Sequence, residues 1–308
     1  MNLPPIPHSL RRFASLALAA GAAAVAGCRT TRPLLRRGFD ISIAEWSYHK
    51  ALFAKKMDHL DFPKVTRQVH GLGGIELVNQ FFKDKVRDAS YLAEFKRRAE
   101  GEGTRILLIM IDGEGALGDP DAGKRRQAVE NHHKWAEAAK FFGCHSIRVN
   151  AETNGVGGWD DQMKRAADGL SALSEYCGRL GLNCIVENHG HLSSHGLWLS
   201  GVMRAVNRPN CGTLPDFGNF ALGDNTWYDR YQGVQELMPF AKAVSAKSHD
   251  FDAQGNCIQT DYRRMMRIVL DAGYHGFVGI EYEGEKLGEK EGIEATKRLL
   301  ERVRSELA

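Results

Sequence analysis

From Gly38 onward, short apolar runs alternate with stretches in which apolar residues recur every three or four positions. The runs Phe39–Ala44, Gly74–Val78, Arg105–Ile111, Ser146–Asn150, Asn183–Glu187, Cys211–Pro215, Ala243–Lys247 and Phe277–Tyr282 read as strands. They recur roughly every 30 to 40 residues, the length of a βα unit. Between them lie amphipathic helices. One has Asp160 as its N-cap, then Met163, Ala167, Leu170, Leu173, Cys177 and Leu180 on one face, and stops at Gly181. Thr260 caps another, which carries Tyr262, Met265, Val269 and Ala272 and stops at Gly273. Val129, Ala136, Ala139 and Phe142 make a third, closed by Gly143, and a helix from Ile293 to Leu307 closes the ring. Eight such units without a break in composition predict an α/β fold, a single (β/α)8 TIM barrel spanning 38–308. A doubly wound open sheet is the alternative. Its dinucleotide fingerprint is missing, because Gly71, Gly73 and Gly74 precede a strand instead of following one.

The chain of 308 residues has the composition of a globular protein, 43% hydrophobic and 26% charged. Its net charge of +3 is concentrated at one end. Residues 1–37 hold Arg11, Arg12, Arg29, Arg32, Arg36 and Arg37 and no acid. Setting those six aside lowers the basic count from 41 to 35 against 38 acidic residues, so the body is slightly acidic. That excludes a nucleic-acid partner, which needs a basic face. The first 28 residues predict an export signal. Arg11-Arg12 precede an apolar run from Phe13 to Ala26 that is too short to span a membrane. Val25-Ala26-Gly27-Cys28 resembles a lipoprotein signal-peptidase box, with Cys28 lipidated. The arginine pair resembles a twin-arginine signal. Residues 29–37 would be a basic tether. The expected location is periplasmic or cell-envelope, with the membrane reached only through a lipid at Cys28. Five further cysteines, Cys144, Cys177, Cys184, Cys211 and Cys257, sit in apolar surroundings without a C-x-x-C pair and read as buried thiols.

In a barrel, chemistry sits at the C-terminal ends of the strands. Strand five ends in Glu187-Asn188-His189-Gly190, strand six in Asp216-Phe217-Gly218-Asn219, strand seven in Lys247-Ser248-His249, and strand eight in Glu281-Tyr282-Glu283. A single carboxylate there is most often a helix cap or a solvated loop residue. A Glu, an Asp, a His and a Glu on four successive strands point to one shared site. Clustered carboxylates repel, and a divalent cation relieves that repulsion. Three carboxylates and one imidazole favour Mn²⁺ or Mg²⁺, with Co²⁺ or Zn²⁺ as the further options.

This order resembles the xylose-isomerase-like barrel superfamily of sugar phosphate isomerases and epimerases, over nearly all of 38–308. The specific pieces are Glu187-Asn188-His189-Gly190, Asp216-Phe217-Gly218-Asn219 and Gly279-Ile280-Glu281-Tyr282-Glu283-Gly284. The resemblance implies that Glu187 and Glu281 are both metal ligands and the acid/base pair, with Asp216 a further ligand. One position departs. Many relatives carry a His two residues before the strand-seven Lys, where this chain has Ser245. Period-two alternation points Ser245, Lys247 and His249 to one side, so His249 is the expected nitrogen ligand. The rival expectation is that the ammonium of Lys247 neutralises the carboxylates without a metal.

Substrate contacts are expected from His189, Asn150, Lys247, Trp46 and Asn219. Of the other residues after strand five, His191 and His195 read as solvated. Asn79 and Asn154 also stand where amides could bind hydroxyls. Trp46, Trp159, Trp198 and Trp227 fall in loops after strands, where ring faces suit the apolar face of a sugar. His132, His133 and Trp135 lie mid-helix and read as packing. The function these residues support is a metal-assisted sugar isomerase or epimerase that abstracts a proton next to a carbonyl. Elimination at a keto-sugar starts from the same step. The alternatives are a non-catalytic carbohydrate-binding barrel and an apurinic-endonuclease-like phosphodiesterase. The phosphodiesterase needs more histidines at the strand ends and a basic face. The sugar itself and a homo-oligomeric state are left open.

Overall fold

The computed structural model describes residues 38–307. The expected export segment with Cys28 and the tether 29–37 lie outside the described residues. Eight parallel strands form one sheet: β1 (Asp40–Ala44), β2 (Gly74–Val78), β3 (Arg105–Met110), β4 (Ser146–Asn150), β5 (Asn183–Glu187), β6 (Cys211–Leu214), β7 (Val244–Ser248) and β8 (Phe277–Tyr282). Their hydrogen-bonded order is β6-β5-β4-β3-β2-β1-β8-β7. The remaining seam, from β6 to β7, is made by single bridges, Thr213 with Ala241 and Asp216 with Ser245. There Phe217 N–H donates to Ser245 O at 3.1 Å and Ser245 N–H to Pro215 O at 3.0 Å.

A helix follows each strand: α1 (Phe62–Gln68), α2 (Ala89–Gly101), α3 (Ala122–Phe142), α4 (Trp159–Arg179), α5 (Gly196–Val206), α6 (Arg230–Leu237), α7 (Tyr262–Asp271) and α8 (Glu289–Leu307). This is the expected TIM-barrel-like α/β fold. Among the described residues, no helix is long and apolar enough to cross a membrane. Between β6 and α6 a small hairpin, Ala221–Gly223 with Thr226–Trp227, projects from the mouth.

The strands are buried on both faces, as parallel strands in such a fold must be. In β5, Cys184 and Val186 join the large layer between sheet and helices, while Ile185 faces inward. The inner apolar cluster is small: Ala44, Val78, Leu108, Met110, Ile185, Leu214 and Ala243. The rest of the interior is polar, and that is where the site lies. The five cysteines are buried thiols.

Several local expectations shift. The N-cap of α4 is Gly158, and Asp160 sits in the first turn, where its charge meets the positive end of the helix. The cap of α7 is Asp261, whose carboxylate accepts from Arg263 N–H at 2.9 Å and Arg264 N–H at 3.1 Å. Thr260 instead accepts from the Arg230 guanidinium at 2.6 Å. Helix α8 starts at Glu289, a turn before Ile293, and the Glu289 carboxylate accepts from Lys50 and Ala51 N–H. Trp198 is wholly buried in α5 rather than in a loop. Trp135 is buried as expected, and His133 stacks on Tyr176 of α4 with ring centroids 3.6 Å apart.

The loop after β3 crosses α4 at Gly169, where an added Cβ would lie 1.9 Å from Leu117 O. That oxygen belongs to backbone and cannot swing aside. Gly169→Ala should therefore cost at least the ~1–3 kcal/mol of an overpacked core. Thermal unfolding is the measurement; an unchanged midpoint would show that the loop yields.

Candidate active site

Backbone register assembles the mouth. Lys247 of β7 is the Cα partner of Glu281 on β8, and Asn150 of β4 is the partner of Glu187 on β5. Partners in a parallel sheet lean to the same side, so each pair points inward together. Asp216 follows β6 and is held by its own turn: its Oδ1 accepts from Gly218 N–H at 2.7 Å and Asn219 N–H at 2.8 Å. Asn188 ties the turn to β5, donating to Asp216 O and accepting from Asp216 N–H. Glu187, Asp216 and Glu281 thus converge, fully or almost fully buried, with one oxygen of each within 4.8 Å of the others.

Two side-chain cations are built into this group. Lys247 Nζ is 3.0 Å from Glu281 Oε1 and 3.4 Å from Glu283. Arg148 Nη2 is 2.5 Å from Glu187 Oε2, and its Nη1 is 2.7 Å from Asp112. Asn219 bridges the two pairs, donating to Glu187 Oε1 at 2.8 Å and accepting from Lys247 Nζ at 3.1 Å. Ser245 donates to Glu281 Oε2 at 3.2 Å. Of the expected substrate contacts, Lys247 and Asn219 are members of this network. Asn150 donates to Asp112 at 2.7 Å. Trp46 hydrogen-bonds Glu283 from the β1 side. His189 lies two residues past Glu187 and, with Asn150, lines a cavity of about 860 Å³.

The electrostatics follow from burial and pairing. Desolvation raises Glu187 to about 7 against the opposing pull of Arg148, with Glu281 adding to the rise. Desolvation likewise lifts Asp216 to about 7 against Lys247. Burial works against the charge on Lys247, but Glu281, Asp216, Glu283 and Glu187 outweigh it and hold the ammonium charged. Burial also opposes the charge on Asp112, yet Arg148 and Asn150 bring it down to about 2.

The three carboxylates are a group that could hold a metal ion, and Asp216 Oδ2 is buried without a hydrogen-bond partner. The other five oxygens are engaged, two of them by Lys247 and Arg148. A divalent ion bound to all three carboxylates would have to displace one or both cations, or add its charge to theirs. The donor set therefore fits a divalent ion only in competition with these two side-chain cations. His249, expected as the nitrogen ligand, is outside the group. Strand β7 ends at Ser248, so the alternation that would aim His249 inward stops one residue short. Among the described residues no histidine joins the group, unlike the zinc cluster that a phosphodiesterase needs.

Four site residues were not expected: Arg148, Asp112, Glu76 and Ser42. Arg148 did leave a signal. In the strand Ser-Ile-Arg-Val-Asn, the polar residues 146, 148 and 150 alternate with apolar 147 and 149, which marks one face as a polar interior.

A parallel barrel with buried carboxylates at the C-terminal ends of β5, β6 and β8 defines a class, the TIM barrels with a polar group at the end of the barrel where such folds carry their sites. The family model described as xylose isomerase-like TIM barrel matches residues 68–304, and the chain belongs to that family. Among solved structures it is similar to a xylose isomerase-like TIM barrel protein from Mycobacterium smegmatis in complex with magnesium, with 17% identity, TM-score 0.65, and 88% of this chain and 98% of that one covered. It is similar to 3-keto-D-glucoside 4-epimerase from E. coli, with 14% identity, TM-score 0.62 and coverage of 86% and 99%. It is also similar to the IOLI protein with a bound zinc atom, with 16% identity, TM-score 0.67 and coverage of 88% and 99%. Identities this low carry the fold alone. None of the curated proteins matches the sequence.

One layer below Glu281, the Glu76 carboxylate occupies the room left by a glycine: a Cβ on Gly279 would lie 2.4 Å from Glu76 Oε1. Ser42 donates to that oxygen at 2.5 Å, and Oε2 is buried without a partner. Desolvation raises Glu76 from 4.5 to about 7, opposed by the Ser42 hydrogen bond. A carboxyl raised on folding adds stability below its unfolded value and loses it as pH rises through its folded value. Glu76→Gln should therefore be the more stable protein at pH 8, by roughly 1–3 kcal/mol, and equal to wild type near pH 4. Denaturant unfolding at the two pH values checks this; a difference that does not change with pH would mean that folding does not raise the Glu76 carboxyl.

Proposed function

We propose that the protein is a sugar isomerase or epimerase that moves a proton next to the carbonyl of a sugar or keto-sugar. Glu187 and Glu281 form the acid/base pair, and Lys247 with Arg148 supplies the fixed positive charge. The observation that carries this reading is the pairing of two buried glutamates at the barrel mouth with a buried ammonium and guanidinium. One glutamate takes the α-proton, and the C–H electron pair moves into an enediolate. The negative charge grows on the former carbonyl oxygen, and the fixed positive charge of Lys247 stabilises it through the field at the mouth. Return of a proton to the same carbon from the opposite face inverts it. Return to the neighbouring carbon exchanges aldose and ketose. Glu187, raised to about 7, exchanges its proton near neutrality, and its base form builds up above that value. The likeness to a 3-keto-D-glucoside 4-epimerase is consistent with this chemistry.

A second reading keeps the same acid/base pair and gives the cation's role to Mn²⁺ or Mg²⁺ on Glu187, Asp216 and Glu281. The unpartnered Asp216 Oδ2 is the observation on its side.

Incubation with a panel of keto-sugars in D₂O, followed by NMR, tests the acid/base pair. Deuterium should enter at a carbon next to a carbonyl, and Glu187→Gln and Glu281→Gln should each slow exchange by ~10²–10⁴-fold with the fold retained. Near wild-type exchange in either variant removes that residue from the role. No exchange with any sugar that binds would favour a carbohydrate-binding barrel.

The identity of the cation is decided separately. With Lys247 in the role, protein purified without chelator should hold well under one metal per chain. EDTA should leave exchange and thermal midpoint unchanged, and Lys247→Met should abolish exchange. Stoichiometric metal, with activity and stability lost on chelation and restored by Mn²⁺, would give the role to the ion.

A further inference from the structure

The cavity of about 860 Å³ beside the acid/base cluster is larger than one sugar ring needs. A volume of this size lies near the upper end of the ~300–1,000 Å³ found for ligand pockets. It opens between the loops that follow β4 and β5, and its inner wall is Asn150 and His189. It therefore continues the site away from Glu281 and toward α4 and α5.

The wall lacks what a phosphate group requires. No lysine or arginine lines the cavity, and the one carboxylate in the wall, Glu152, would repel an anion. Helix N-termini are the usual substitute for a cation, but both nearby ones already carry acid. Asp160 and Asp161 occupy the first turn of α4. At the first residue of α5, a Cβ on Gly196 would lie 2.3 Å from Glu236 Oε2, so that carboxylate sits against the helix start. Arg148 and Lys247 are spent on Glu187, Asp112, Glu281 and Glu283.

The wall does offer groups that hydroxyls satisfy. Asn150 Oδ1 is buried without a partner, while its amide nitrogen is fixed on Asp112. It needs a donor, which a hydroxyl provides and a phosphate dianion does not. His195 Nδ1 is likewise buried and unpartnered. The His195 ring packs against Trp159 and Tyr228, with centroids 4.8 Å and 4.1 Å away. That packing holds the His195 ring in the cavity wall beside Leu192 and Leu222, which give the wall an apolar side.

We propose that this cavity binds the remainder of an uncharged glycoside, so that the substrate is a sugar carrying a second sugar or a group of similar size and not a sugar phosphate. The proposal rests on the reading of the cluster as the place where the first sugar reacts. Its test is binding, which does not depend on that chemistry. The full chain is titrated by calorimetry and saturation-transfer NMR with monosaccharides, their 6-phosphates, and disaccharides and phenyl glycosides of both linkages. At least one neutral glycoside should bind ~10-fold or more tighter than its parent sugar, a gain of about 1.4 kcal/mol. The 6-phosphates should bind no tighter than the parent. Leu222→Trp, which puts bulk into the cavity, and Asn150→Leu, which removes the acceptor, should each erase the gain. A tighter 6-phosphate, no glycoside above its parent, or a gain that survives both variants overturns the proposal. Glycoside binding without deuterium exchange would leave the cavity assignment standing and sink the acid/base one.

Discussion

Everything at the mouth of this barrel depends on placing two positive charges among buried carboxylates. Glu187, Asp216 and Glu281 converge where water cannot screen them, and an uncompensated charge in such a place costs several kcal/mol. Arg148 and Lys247 meet that cost from two sides, and Asn219 joins the two pairs into one network. The arrangement constrains the fold as much as the chemistry. The register of β7 on β8 must put residue 247 opposite 281, and the Asp216 turn must close on its own carboxylate. Gly218 leaves the Lys247 stem room, since a Cβ there would lie 3.0 Å from it.

For catalysis, what matters is that these charges are fixed before the substrate arrives. A preorganised ammonium costs nothing to reorient when negative charge grows on a substrate oxygen. In the proposed reaction that is why a chain lacking an imidazole at position 245 can still assist enolisation. The same pairing leaves little free positive charge for the substrate's distant end. Reaction chemistry and substrate choice are therefore coupled through the same two side chains.

Most of the fold could be read from the chain because its outer layer is conventional. Strands of four to six residues, spaced by amphipathic helices, repeat a pattern that only tertiary closure can complete. Every expected strand is present, with ends displaced by at most a residue. The carboxylates were legible because each follows an apolar run. Arg148 and Glu76 were harder, since both stand inside runs that read as strand, and burial on both faces hides which side a residue takes. The alternation within β4 marks Arg148, and nothing comparable marks Glu76 in Gly-Ile-Glu-Leu-Val. His249 lies outside the carboxylate group for a related reason: the strand, and the alternation with it, ends at Ser248. Caps shifted by one or two positions wherever neighbouring residues could both serve, as with Thr260 and Asp261.

The seam between β6 and β7 has a kinetic meaning. The other neighbouring strands are joined as ladders of two or more residue pairs, but here single bridges carry the closure. Opening a bridge exposes few amides and breaks few bonds, so this line should be the least protected against hydrogen exchange in the barrel wall. Asp216 and Ser245 stand on its two sides. Transient widening there would draw Asp216 away from Lys247 and Glu281 while leaving the Arg148–Glu187 half undisturbed. The weakest line of the barrel wall would thus run through its mouth, between Asp216 and Ser245.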